Sequence, residues 1–578
     1  MRTYLKLSEL MNRTTPAQDL IYLVRASDWN GAFAALAILA ARLSASPDET
    51  SRQLLAALAG LSNHEHPPIA AAGRAAAAYR GHARLVHEQV IYFLQALVLL
   101  EAGDAGGTMP SDGSLALWAL IANEHLHNWL ELDARPLTAL EGALADQTYA
   151  AHFNVSEDQL HRFARTALMF EHRPEHAKLG QNASTWEELQ ERAFGRPFAE
   201  AHRSLIAPLL TWSSNWGHKT KDNQVEPPVI DIPNWIAPTL IDRAEMEGYL
   251  GNMATTRDDA IVELRAQRRP SGLPHSPALF YRKPFVRAKD NRLMAASPAV
   301  IAEKMRAGIW FQFSEAATQL GCDRDDWPSA FGHLFEWWCG RVASLAASSS
   351  KFPDHVFIPT HPGASDEIED VVTYDGSGAC LFSAKGKLVS ESVARRALER
   401  SSVVDWYEEF FFGKRGKRQG RAYRDGVVRL LNERIDLIRA GAFRDRLRPT
   451  VQLFPALMTF DNIGECPALY QWLRQRCASE NLLQQSAVAP LTLVRVDRFE
   501  QLMALAARGT STVDVLRRKA RSDSVDRLFD RVLGSFASSL ASFRLPALAA
   551  EFERITDEVN QALFGDRHVT PSLTTSEP

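Results

Sequence analysis

The sequence predicts a multidomain protein, an all-α N-terminal region followed by an α/β domain whose mixed sheet is flanked by helices. Three observations carry this prediction. A chain of 578 residues is too long for one hydrophobic core and should divide into roughly two to four domains. Residues 1–215 place apolar residues at three- and four-residue spacing, with abundant alanine and sparse glycine and proline, which is the pattern of helices. From residue 301 the pattern changes to helix, hairpin, helix and short apolar runs, the order of an α/β domain.

Composition excludes some classes. With 46% hydrophobic and 23% charged residues and a mean hydropathy of -0.21, large-scale disorder is not expected. A net charge of -4 gives no overall attraction to nucleic acid, so such binding requires a local basic patch. The five cysteines are scattered without a CxxC pair, against a zinc ribbon or disulfide framework and in keeping with a reducing compartment. The opening MRTYLKLSELMNRTTP lacks the apolar core of a signal peptide. The most apolar run, Val90 to Leu100, falls short of the ~18 residues of a membrane span. A cytoplasmic protein with no membrane partner is expected.

In chain order, DLIYLVRASDWNGAFAALAILAARL, QLLAALAGL and EQVIYFLQALVLLEAG predict helices. His64 and His66, His125 and His127, and His172 and His176 invite a metal reading, but none matches a metal-binding pattern. They read as surface or capping histidines. Residues 216–300 form a connector, with the polar, proline-rich stretch from Ser213 to Thr239 as the boundary, one helix over LIDRAEMEGYLGNMATTRDDAIVELRAQ and a hairpin turning at Lys289-Asp290-Asn291. The α/β domain spans 301–515. It includes a helix opening on Pro298, a loop then a long helix over WYEEFFF to LIRAG, and two buried strands, TVQLFPALMTF and PLTLVRV, separated by the helix PALYQWLRQRC. Two C-terminal helices fill 516–566, and residues 567–578 read as a disordered tail.

The chemistry gathers between Gly332 and Glu399. Glu336 lies on the helix GHLFEWWCGRV, and Asp370 opens the strand DVVTY. The turn Asp375-Gly376-Ser377-Gly378 sends the chain back along ACLFSAK, so that Lys385 returns towards Asp370 although fifteen positions separate them. Ser383 and Lys385, two apart on a strand, share a face. A carboxylate and a lysine so placed suit phosphodiester hydrolysis, which needs a divalent ion held by carboxylate oxygens and profits from a cation near the phosphorus.

This arrangement resembles the PD-(D/E)xK, restriction-endonuclease-like nuclease superfamily, in particular its Mrr-type and resolvase-like members. The likeness covers residues 328–400 and extends more loosely to about residue 515. It implies a Mg²⁺- or Mn²⁺-dependent endonuclease acting on DNA, in restriction or anti-phage defence. Asp370 would be a metal ligand, Lys385 the catalytic lysine and Glu336 the helix-borne acid. One departure matters: Ser383 stands where the superfamily has its second acid. Some type II restriction enzymes carry S-x-K here and recover the carboxylate from a glutamate on the next helix, with the same thirteen intervening residues that separate Lys385 from Glu399. Glu399 is therefore a catalytic and metal-ligand candidate, although the Asp-to-Ser distance is shorter here. Its alternative is an ordinary pair with Arg395 or Arg396 on a solvated helix face, worth a few tenths of a kcal/mol. Glu391 reads as a capping acid. Asp366, Glu367 and Glu369 read as a solvated acidic loop from which one member joins the metal shell or none does.

Lys387, Lys414, Arg415, Lys417, Arg418, Arg421 and Arg424 are candidate nucleic-acid contacts. Six of them crowd into one glycine-bearing loop beside Phe410, Phe411, Phe412 and Tyr423, the composition of a phosphate clamp or of a solvated loop. Two functions follow. One is the endonuclease, with the helical region serving recognition, regulation, a partner protein or self-association. The other is a catalytically inactive nuclease-like fold that binds nucleic acid or serves assembly.

Overall fold

The computed structural model describes residues 5–565, apart from 13–14, 80–84, 87, 105–108, 127–136, 145–158, 172–185, 207, 210–228, 238, 267–273, 275–277, 324, 360–367, 387–399, 414–425, 461–462, 464, 522, 524 and 537–544. These residues form two compact units, neither of which is one continuous run. The first takes 1–129, 199–309 and 554–578, and the second 130–198 and 310–553. This division differs from the linear segments expected. Its physical reason is that helices far apart in the chain bury their apolar faces against one another.

The first unit is mainly helical. Trp29–Ala45 opens on Asp28, whose carboxylate accepts from the Gly31 N–H at 2.8 Å, satisfying an otherwise orphaned helix donor. The break before Asp28 divides the first expected helix into Ala17–Arg25 and Trp29–Ala45. The expected single helix of the connector is likewise two, Arg243–Asn252 and Arg257–Ala266, because Ala254–Thr255 between them pairs with Phe285 and Val286 in a four-stranded sheet. The hairpin turning at Lys289 to Asn291 is present, Phe285–Arg287 against Leu293–Ala295. Asn291 has φ +69°, a left-handed turn position that asparagine tolerates. Inside this unit the Tyr92 and Ser297 hydroxyls bond at 2.7 Å, and Gln95 donates to the Ala296 carbonyl at 2.7 Å.

The second unit contains the α/β arrangement. Its elements include α1 (Gln159–Glu171), α2 (Asp326–Ala347), β1 (His355–Phe357), β2 (Val371–Tyr374), β3 (Gly378–Lys385), α3 (Arg400–Phe412), α4 (Val427–Arg439), β4 (Gln452–Thr459), α5 (Pro467–Ser479), β5 (Thr492–Arg495), α6 (Val496–Ala506) and α7 (Thr512–Ala520). The five strands lie in chain order. β1, β2 and β3 pair antiparallel, and β3, β4 and β5 pair parallel. The parallel steps need crossovers, which α3 with α4, and then α5, supply.

β3 and β4 are buried on both faces, so they read as continuous apolar runs rather than alternating ones. One face, with Leu381, Leu457 and Leu493, packs with Tyr407, Phe411, Leu431 and Trp472 of the α3–α5 helices. On the other, Phe382 meets Phe499 of α6 at 5.3 Å. Pro455 sits inside β4, where a missing N–H usually breaks a ladder. Leu453, two residues earlier, directs its N–H to the Ala487 carbonyl, away from β3. The Pro455 nitrogen shares that side, where β5 pairing begins only at Ala456.

Two expectations need correction here. WYEEFFF is not a loop but the end of α3, and Phe410, Phe411 and Phe412 are buried in the core. They are packing residues of the core. The first C-terminal helix is short among the described residues, Phe529–Leu533, whereas the second, Pro546–Phe564, is long. The stretch 392–399 and the tail after residue 565 lie outside the described residues. None of the five cysteines is in a disulfide, and no described helix is long and apolar enough to cross a membrane.

Beside α5, Glu465 accepts from the Tyr470 hydroxyl at 2.6 Å and the Phe529 N–H at 2.7 Å. Burial, and then the Asp530 charge, push its carboxyl up to about 7. An acid with a raised folded pKa contributes stability that is present below its unfolded pKa and lost as pH rises through the folded one. Glu465→Gln is therefore expected to remove a loss on the order of 2 kcal/mol between about pH 4.5 and 7, less than the shift alone implies because the carboxyl keeps some solvent contact. Melting curves of both proteins from pH 5 to 8 check this, and a pH-independent difference in Tm refutes it.

Candidate functional site

The site lies where β2 begins and β3 ends. Asp375 builds the turn between them: its Oδ1 accepts from the Ser377 N–H (2.9 Å), the Ser377 hydroxyl (2.7 Å) and the Gly378 N–H (3.0 Å). Burial opposes ionisation, but these bonds and one from Ser511 hold the Asp375 carboxyl below the usual range. Gly376 takes φ +85°, a conformation open to glycine. The turn fixes the register. Val371 faces Phe382, so Asp370, one residue earlier, stands opposite Ser383, one residue later.

Asp370 Oδ2 accepts from the Ala384 N–H at 2.6 Å and lies 3.8 Å from Lys385 Nζ, with side-chain exposures of 10% and 29%. The expected juxtaposition of Asp370 and Lys385 is therefore present. Burial raises the Asp370 carboxyl well above its ordinary value. Lys385 pulls it down, the Glu369 and Glu336 charges push it up, and the Ala384 N–H lowers it. Glu336, on α2, is thus among the charges that act on Asp370. Its Oε2 also lies 3.2 Å from His333 Nδ1.

Glu369 corrects an expectation. It is 8% exposed, not part of a solvated loop, and its neighbours Ile368 and Val371 are the sequence signal that it would be carried inward. Ser383 is also buried, at 3% exposure. At the end of β3, Gly386 meets α2 closely. A Cβ there would stand 3.1 Å from the Phe331 ring and 3.2 Å from the Gly332 Cα. Gly332 is one helical turn before Glu336, so this contact brings the Lys385 end of the strand to the Glu336 stripe of α2.

The donors available are hard carboxylate oxygens, the chemistry of a Mg²⁺ site with several water ligands. Asp370, Glu336 and Glu369 fit such an ion by charge. No group of three His, Cys, Asp or Glu among the described residues is gathered closely enough to hold one. Glu399, Lys387, Lys414, Arg415, Lys417, Arg418, Arg421, Arg424, Tyr423, Glu391, Asp366 and Glu367 lie outside the described residues.

Two buried side chains that no local pattern marks form an ion pair against α2. Arg165 of α1 donates from Nε and Nη2 to the two Glu500 carboxylate oxygens at 2.6 and 2.9 Å, both side chains at most 4% exposed. Trp338 Nε1 donates to the same Glu500 at 2.9 Å. The buried Cys339 thiol is pushed up by desolvation and then by the Asp370, Glu500 and Glu336 charges, against which Arg165 acts.

The histidines in the helical region serve structure. His125 Nε2 and the Thr15 carbonyl oxygen are 2.9 Å apart, Glu124 accepts from the Ser8 and Thr15 N–H groups, and His64 Nδ1 accepts from the His66 N–H. His127, His172 and His176 lie outside the described residues. Compared with known proteins, the chain matches no family model, no curated protein and no solved structure.

Proposed function

We propose that the protein is a Mg²⁺- or Mn²⁺-dependent endonuclease of the PD-(D/E)xK type that hydrolyses phosphodiester bonds in DNA. The observation that carries this reading is the Asp370 carboxylate, opposite Ser383 and 3.8 Å from Lys385 Nζ, with two further acids acting on it. A divalent ion, when bound, would supply a water of lowered pKa and neutralise phosphate charge. Asp370 and Glu336 would hold it, with Glu399 as the acid that replaces Ser383. Lys385, the more exposed member, reaches solvent, where it would orient the attacking water and stabilise charge developing on the phosphorane. In this reading Lys387 and the basic residues from Lys414 to Arg424 would clamp the DNA backbone, and the helical unit would serve recognition or regulation.

Incubating the protein with plasmid and Mg²⁺ beside Asp370→Ala and Lys385→Ala tests the proposal. Each substitution is expected to lower the cleavage rate by about a hundredfold or more. Undiminished cleavage in both variants overturns the assignment. Ser383 favours a second reading, an inactive nuclease-like fold that binds nucleic acid or serves assembly, since serine brings no ligand charge. Salt-dependent DNA binding without cleavage under any divalent ion would select it.

A further inference from the structure

The geometry of α2 bears on how the candidate site is held. On a helix, residues three and four apart share a stripe. Gly332, Glu336, Cys339 and Gly340 form one such stripe. At its two ends a Cβ on Gly332's partner Gly386, or on Gly340 itself, would meet neighbouring atoms at 3.1–3.2 Å, for Gly340 the Ile358 side chain. Phe331, Phe335 and Trp338 form the adjacent stripe. Phe331 and Phe335 stand edge-on to Phe460 at 5.0 and 5.7 Å. Ring packing of this kind tolerates sliding. The Trp338 N–H bond to Glu500 is directional and ties this stripe of α2 to α6.

Glu500 can accept that bond in the interior because Arg165 binds both its oxygens. A buried carboxylate without such a partner would bear a large desolvation cost. Arg165 comes from α1, more than 300 positions before Glu500, so a segment remote from the motif supplies the counter-charge.

We infer that the Arg165–Glu500 pair, acting through the Trp338 indole, is the positioning element of the candidate site, setting the rotation of α2 and with it the place of Glu336 relative to Asp370. The site role of this element rests on the nuclease reading above. A rotation of about 10° moves a carboxylate roughly 7 Å from the helix axis by about 1 Å, enough to spoil a coordination geometry that needs about 0.5 Å. Trp338 and Glu500 are positioning residues and touch no substrate in this scheme.

Trp338→Phe, which keeps the ring and removes the N–H, and Glu500→Gln, which keeps an oxygen acceptor for the indole, separate positioning from bulk stability. Crystal structures of both and of the wild-type protein are compared, together with the Mg²⁺ dependence of plasmid cleavage. In Trp338→Phe the Glu336 carboxylate is expected to shift by about 1 Å relative to Asp370. The Mg²⁺ concentration for half-maximal cleavage should rise about tenfold, with the rate at saturating Mg²⁺ changed much less. In Glu500→Gln, Glu336 should keep its place although the protein melts at a lower temperature. A purely structural role would lower Tm and leave the metal dependence alone. Glu336 within 0.5 Å of its wild-type place in Trp338→Phe overturns the inference whatever the cleavage assay reads. Absence of cleavage by the wild-type protein sinks the nuclease reading alone, because the displacement still decides the positioning.

Discussion

Arg165→Met is expected to destabilise the second unit by about 3–5 kcal/mol, the cost of leaving a buried charge without its partner. Glu500 is at most 4% exposed, so water cannot replace the guanidinium without opening the core. The double variant Arg165→Met with Glu500→Met should recover most of that loss, since two apolar side chains of similar length remove both charges together. Denaturant unfolding of the single and double variants measures the coupling. Equal losses in the single and the double variant would show that packing of the arginine stem, not the charge pair, holds α1 against α6. The comparison also reveals whether Glu500 is retained for stability or for geometry. A double variant as stable as wild type, but with Trp338 unbonded, isolates the geometric role.

Ser383→Asp is the second large effect. Ser383 is buried and stands opposite Asp370, so a carboxylate there places two acids side by side in a region already crowded by Glu369 and Glu336. In the presence of a chelator this should cost about 3 kcal/mol or more, the burden of a buried carboxyl beside the buried Asp370 carboxyl. With Mg²⁺ or Mn²⁺ the same carboxylate becomes a ligand. An ion at a hundred times its Kd returns about 2.7 kcal/mol, so the Tm of Ser383→Asp should rise with the ion by more than that of wild type. Thermal melts with and without the ion decide. A variant equally destabilised under both conditions would mean that the cleft does not take a divalent cation.

Much of the candidate site was legible in the sequence because its information is local. The Asp375-Gly376 turn and the apolar strands on either side determine the pairing of β2 with β3, and that register alone brings Asp370, Ser383 and Lys385 together. The helix bearing Glu336, the strands β4 and β5 and the helix between them follow from period and punctuation in the same way. Pro455 did not mislead, since its missing N–H falls where β5 has not begun to pair.

Other features have no local signature. Glu369 resembles its acidic neighbours in sequence, yet it is drawn inside because it lies between residues that the sheet buries. The aromatic run from Phe410 to Phe412 sits beside a basic loop in sequence but faces the core in space, where the hydrophobic effect outweighs any role at a nucleic-acid surface. The chain's division into units cuts across its linear segments for a similar reason, as the pairing of α1 with α6 shows.

By itself, then, the sequence determined most of the elements around the site, the hairpin register and the meeting of Asp370 with Lys385, because alternation, turn chemistry and helix period act over a few residues; it missed the breaks in two helices and the helical end of α3. Only the tertiary structure decided that Arg165 balances Glu500 and that Glu500 holds Trp338. A charge enters a low-dielectric interior only with its partner, and here that partner comes from a helix that shares no pattern and no neighbourhood with the motif.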